Sequence, residues 1–192
     1  MSVKGLVVVV ASLWFCVACS SPQTVDMAPR VLDKPRLSEV SVTAPGFYLE
    51  AGDTLNWRRD VIVVEGEVMP GAIEHVEARQ VRNVFEQGFM ALGFPVVPGK
   101  GGRYEVVAAI VLGDSPAGDA VLEVAQLYPS LGASPDQLQQ GMLLVGLARP
   151  GSRQFLWRSA IQGALHPEFS AAQQQERIKV VIADLLQDIP RR

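Results

Sequence analysis

The chain has 192 residues, 48% of them hydrophobic and 19% charged, with a formal net charge of −3. That balance suits one globular domain with a real core and a short appendage. It excludes nucleic acid as a partner, because the net charge is negative and no lysine–arginine stripe runs through the sequence.

The first element is an address. Lys4 precedes an apolar run over residues 5–18, and polar, proline-containing sequence follows it. A basic start, a short apolar stretch and a small residue before the cut make a secretory signal. The run is shorter than the ~20 residues of a comfortable membrane span. Both cysteines of the chain, Cys16 and Cys19, lie at its end. A redox or zinc pair would need a βαβ context or further ligands, and the two histidines, His75 and His166, are far away.

"VAC", Val17-Ala18-Cys19, resembles the lipobox of bacterial lipoproteins. That resemblance implies cleavage after Ala18, a diacylated Cys19 sulfur and an acylated new amine. Cys16 stands where the pattern prefers Leu, and Phe15 before it is too large for Cys16 to be the lipidated residue. Three acyl chains exceed what stable anchoring requires. Ser20 after the cysteine implies sorting to the outer membrane of a Gram-negative cell, with the domain in the periplasm. A signal peptide cut elsewhere without lipidation is the alternative. The expected organisation is a lipoprotein signal peptide over residues 1–18, a lipidated flexible tether over 19–39 and a single domain over 40–192. The tether carries three prolines and little periodicity, and ~20 extended residues reach at most ~70 Å.

Residues 40–42 read as a short strand before the turn "APG", and "DTLNW" and "VIVV" are further β-prone runs. Residues 71–92 carry Ile73, Val76, Val81, Val84, Phe85, Phe89 and Leu92 near a 3.6 repeat, which predicts a helix. Pro70 suits its first turn and Gly93 its C′ position. "PGKGGR", 98–103, lacks the P-loop order, so it reads as a turn. Residues 104–112, "YEVVAAIVL", are apolar on both faces after Glu105, which marks a central strand covered on both sides. "GDSPAGD" is a turn, 121–128 a strand, "PSLGASPDQ" a loop and 142–149 another buried strand.

"RPGSRQ" joins that strand to 155–163 as a hairpin, with Phe155, Trp157, Ser159 and Ile161 expected on one face and Leu156, Arg158, Ala160 and Gln162 on the other. Ser170 and Gln173 form a capping box. Ile178, Val181, Ile182, Leu185, Leu186 and Ile189 then make one apolar helical stripe, closed by Pro190. The fold class is α+β: one mainly antiparallel β-sheet with two amphipathic helices packed on it.

"DTLNW", the helix ending "MALGF" and the carboxyl-terminal hairpin and helix together resemble the bacterial lipoprotein domain of unknown function 4136 over roughly residues 40–190. Trp157-Arg158 and Leu185-Leu186 with Pro190 match, and Ser159 stands where that family usually has Gly. The resemblance implies an envelope lipoprotein without an assigned activity, and it supplies no catalytic residue.

No G-x-S-x-G elbow, H-E-x-x-H pair or calcium-loop spacing is present, and Asp114 and Asp119 share only a glycine-containing turn. The reading assigns no catalytic residue, cofactor or metal. Trp57, Trp157 and Arg158 are either a contact patch, since Trp and Arg are enriched at binding hot spots, or core anchors of their strands. The expected function is a non-catalytic binding or assembly module held to the membrane by acyl chains on Cys19, with an envelope protein as partner. The alternatives are a carrier of an apolar ligand between sheet and helices, and a hydrolase whose site assembles from distant residues.

Overall fold

The computed structural model describes residues 38–64, 77–112, 122, 124, 126, 141–164 and 169–192, all within the unit Lys34–Arg192. Cys16, Cys19, His75, Asp114, Asp119 and His166 lie outside the described residues, as do Pro70, Ile73, Val76 and the loop 129–137.

The strands are β1 (Ser38–Thr43), β2 (Leu55–Trp57), β3 (Ile62–Val64), β4 (Tyr104–Val111), β5 (Leu143–Ala148) and β6 (Phe155–Gln162). Two helices have defined bounds among the described residues, α1 (Ala78–Ala91) and α2 (Ala171–Gln187). One sheet runs β1-β6-β5-β4-β2, with β3 also on β4. The pairs β1–β6, β6–β5 and β5–β4 are antiparallel. The α+β layout is therefore the one expected, with two parallel pairs added: β2 and β3 both run parallel to β4. Their connection to β4 passes through α1, and a crossover through a helix delivers a parallel strand.

β2 and β3 are one interrupted edge strand. Trp57 pairs with Val106 and Ile62 with Ala109, so four residues, 58–61, stand against two on β4. The surplus bulges outward and carries Arg58 to the edge, where its N–H still donates to the Val106 carbonyl at 3.1 Å.

The inner face of the sheet packs on both helices. One row crosses it through Thr43, Trp157, Leu147, Val106 and Trp57. Val81, Phe85 and Phe89 of α1 and Ile178, Val181, Ile182, Leu185 and Leu186 of α2 close over it, in the same buried cluster. The α2 stripe and the capping box form as expected, with Ser170 N–H donating to Gln173 Oε1 at 2.9 Å. The helices meet at Gly88, where an added Cβ would stand 2.5 Å from Leu186 Cδ1.

α1 starts later than its periodicity predicts. Glu77 is extended (φ −84, ψ 134), so no continuous helix runs from 71 to 92. Its end is as expected. Gly93 has φ +88, Gly93 N–H donates to the Met90 carbonyl and Phe94 N–H to the Phe89 carbonyl at 2.9 Å. Those two bonds close the helix with the left-handed residue that glycine allows.

The outer face gathers Ile62, Val64, Val107, Ala109, Val111, Leu144 and Ala160 around Val124. All eight residues of β4 are buried, as the two-sided apolar pattern requires. The strand expected at 121–128 is corrected: Leu122, Val124 and Gln126 are helical. Leu122 and Gln126 are exposed while Val124 is fully buried. Residues two apart share a face in a strand but lie on opposite sides of a helix.

A second correction falls on β6. Leu147 pairs with Trp157 and Ala148 with Phe155, so Leu156 is an extra residue. The irregularity reverses the two positions before Trp157. Leu156 packs with the inner cluster, and Phe155 packs with the outer one, its ring over Gly146.

Candidate functional site

The proposed patch of Trp57, Trp157 and Arg158 does not assemble. Trp157 is completely buried and Trp57 is 7% exposed. Both rings belong to the inner row, with Leu147 and Val106 between them. Trp157 Nε1–H donates to Ser41 Oγ at 3.1 Å, which ties β6 to β1. Trp57 meets Phe85 edge-on at a centroid distance of 6.1 Å, and the Arg82 guanidinium lies 5.3 Å from the centre of its ring. Its Nε1–H is buried without an acceptor. The tryptophans are core anchors. Burial removes them from any contact surface.

Arg158 points the other way. It sits on the outer face between its strand partners Val42 and Gly146. Gly146 has no side chain, and the Phe155 ring occupies that space, 2.5 Å from where a Cβ would be. Arg158 is thus flanked by the aliphatic Val42 and the ring of Phe155, and its Nε–H is buried without an acceptor. Buried polar groups are nearly always paired, so among the described residues this nitrogen and Trp57 Nε1 are exceptions, both closed off from solvent.

A groove of about 440 Å³ opens at this point. Val42, Thr43, Ala44 and Pro45 form one side, and Gln154, Phe155 and Leu156 the other, with Arg153 and Arg158 as its charged groups. A smaller depression of about 240 Å³ shares Ala44, Pro45 and Leu156 with it and adds Arg149, Arg103 and Tyr48. Both therefore line one end of the sheet, where the β1–β2 connection meets the β5–β6 turn.

The arginine-bearing turn is held from below. Glu105 on β4 is 7% exposed and accepts from Arg58 Nε at 2.8 Å and from Gly151 N–H at 3.1 Å. Arg58 Nη2 donates to the Ser152 carbonyl at 2.6 Å. Ser152 N–H donates to the Arg149 carbonyl at 2.9 Å, and Gln154 N–H to Ser152 Oγ at 3.0 Å. Gly151 has φ +73, which only glycine adopts without strain. The bulge that displaces Arg58 thus fixes the turn that presents Arg149 and Arg153.

Charge at this end is uneven. Arg103 is exposed and pairs with Asp53 at 2.8 Å and with Glu50 at 3.4 Å, and Asp53 chiefly holds its guanidinium above the usual arginine range. Arg58 takes Glu105. Those contacts engage the carboxylates near the turn. Among the described residues Arg149, Arg153 and Arg158 have no carboxylate partner. Arg149 and Arg153 are exposed; the sequence reading placed Arg153 in a hairpin link and Arg149 both there and at the end of a buried strand, which stops instead at Ala148. The available signal was "RPGSRQ" itself: two arginines in a turn with no acid beside them.

No family model and no curated protein matches the sequence. Among solved structures, the chain is similar to a protein of the domain of unknown function 4136 family from Bacteroides thetaiotaomicron. The TM-score is 0.49 at 9% identity, covering 79% of this chain and 95% of that one. It is also similar to the PelC dodecamer from Paraburkholderia phytofirmans, with a TM-score of 0.47 at 12% identity, covering 81% of this chain and 99% of that one.

Proposed function

We propose that the chain is a non-catalytic binding module of the cell envelope, tethered by acyl groups on Cys19 and engaging its partner through the groove at the β5–β6 turn. The observation that carries the reading is an open groove lined by Arg158, which has no carboxylate partner among the described residues. A rigid turn, two further arginines without acids and an apolar floor surround it. Such a surface recognises and holds, because guanidinium groups donate hydrogen bonds in a fixed fork and accept none. The tether rests on "VAC" followed by Ser20, and the resemblance of the carboxyl-terminal half to the domain of unknown function 4136 lipoproteins supports the same location.

Mass spectrometry of the mature amino terminus tests the anchor. The expected product begins at Cys19 and carries acyl chains, and Cys19→Ala leaves an uncut chain. A mature terminus elsewhere, without lipid, removes the anchor from the reading. A photo-crosslinking side chain at Arg153 tests the surface. It should capture an envelope component that the same probe at Met90, exposed on α1, does not.

A further inference from the structure

The groove has two chemically distinct parts within one short reach. Arg158 and Arg153 supply guanidinium groups, and Val42, Pro45, Phe155 and Leu156 supply apolar surface. No carboxylate lines it among the described residues. The Arg158 stem lies between Val42 and the Phe155 ring, so the side chain is confined before any ligand arrives. Its Nε–H is closed off from solvent, so a ligand in the groove meets the terminal Nη donors of Arg158. Arg153 stands on a turn fixed by Glu105 and Arg58, so little order is lost when it binds.

Two guanidiniums with no acid between them select a group with several anionic oxygens. Planar forks match phosphate oxygens in pairs. The apolar floor selects what that group is attached to. About 440 Å³ is the scale of a small-molecule site. We infer that the groove binds an alkyl phosphate, its phosphate on Arg158 and Arg153 and its alkyl part along Val42, Pro45, Phe155 and Leu156. The inference deepens the binding reading above and rests on it for the site, but not for the tether.

Calorimetric titration of the full chain in micelles of a nonionic, phosphate-free detergent, with protein-free micelles as reference, tests it. Hexyl phosphate, inorganic phosphate and hexanol are the probes. Hexyl phosphate should saturate one site, with inorganic phosphate and hexanol each weaker by about tenfold or more, because each lacks one half of the recognition. Arg158→Gln and Arg153→Gln should each weaken hexyl phosphate by a comparable factor, and Arg79→Gln on the exposed face of α1 should leave it unchanged. Arg153 is on an exposed turn, so its variant reports on binding even where Arg158→Gln alters the fold. Equal affinity for hexyl phosphate and hexanol overturns the anionic half, and equal affinity for hexyl and inorganic phosphate overturns the alkyl half. Insensitivity to both arginine substitutions overturns the site. Those results leave the Cys19 anchor and the Arg153 crosslink standing on their own tests.

Discussion

The two faces of the sheet are built to different standards. The inner face closes: Trp157, Phe85, Phe89, Leu55 and Leu186 fill it, and α1 approaches α2 so tightly that only Gly88 fits. That layer is where a carrier would hold an apolar ligand, and side chains occupy it. Among the described residues the outer face closes in its centre, around Val124 and Val107. Toward β1 it opens, with Val40 and Val42 50% and 42% exposed. A domain that packs one face fully and leaves the other unfinished stores its stability in the first and its capacity for contact in the second.

The largest test of that division compares one residue from each face. Trp157→Ala should cost about 3–5 kcal/mol, the usual loss for a fully buried large aromatic. It also frees Ser41 from its hydrogen bond. Val42→Ala, on the same pair of strands, should change stability by less than about 0.5 kcal/mol. Chemical denaturation midpoints measure both. Comparable losses would mean that the outer face at β1 is as closely packed as the inner one, and the comparison fails.

The next effect lies at the joint between the faces. Arg58→Met leaves the Glu105 carboxylate buried with the Gly151 N–H as its remaining partner. It should cost about 1–3 kcal/mol. Replacing both, Arg58→Met with Glu105→Leu, should recover part of that loss, since the desolvated charge disappears with its partner. A double variant no better than the single one would show that the pair holds the turn in a way apolar contacts cannot replace. In either case Arg149 and Arg153 should become more mobile, seen as faster backbone amide exchange at Gly151 and Gln154.

How much of this was legible in the residues divides along the same line. The α2 stripe, its capping box and Gly93 at the end of α1 are local patterns, and each forms as its spacing requires. Two-sided burial of β4 was equally readable, because an apolar run without alternation has no face to give to water. The failures depend on partners distant in sequence. β2 and β3 pair in parallel because α1 intervenes. Phe155 and Leu156 exchange faces because β5 offers one residue where β6 has two. Residues 121–128 carry β-prone side chains that outweighed the helical spacing of Val121 and Val124. The groove was illegible for a related reason. Nothing near Arg149, Arg153 or Arg158 in the chain reveals that Glu105 and Asp53 are spent on Arg58 and Arg103.

The smallest effect is at the open end of β1. Burial, and after it the charge of Asp188, raises the Glu39 carboxyl above its ordinary range, against the Ser159 hydroxyl that donates to it at 3.3 Å. The sign follows from proton counting. A carboxyl raised in the folded state holds its proton more tightly there than in the unfolded chain, so the fold loses stability as pH rises from the ordinary carboxylate value through the raised one. Above that window the penalty is constant, and below about pH 4 it vanishes. Glu39→Gln removes the charge and keeps an oxygen for Ser159. It should therefore melt slightly higher than the parent at pH 7, with the advantage shrinking as the pH is lowered toward that limit. The difference between the two proteins, followed by thermal denaturation across that range, cancels every other titrating group. A variant less stable than the parent at pH 7 would place Glu39 in a favourable charge contact, and β1 would then be held at its exposed end by more than Trp157 and Ser159.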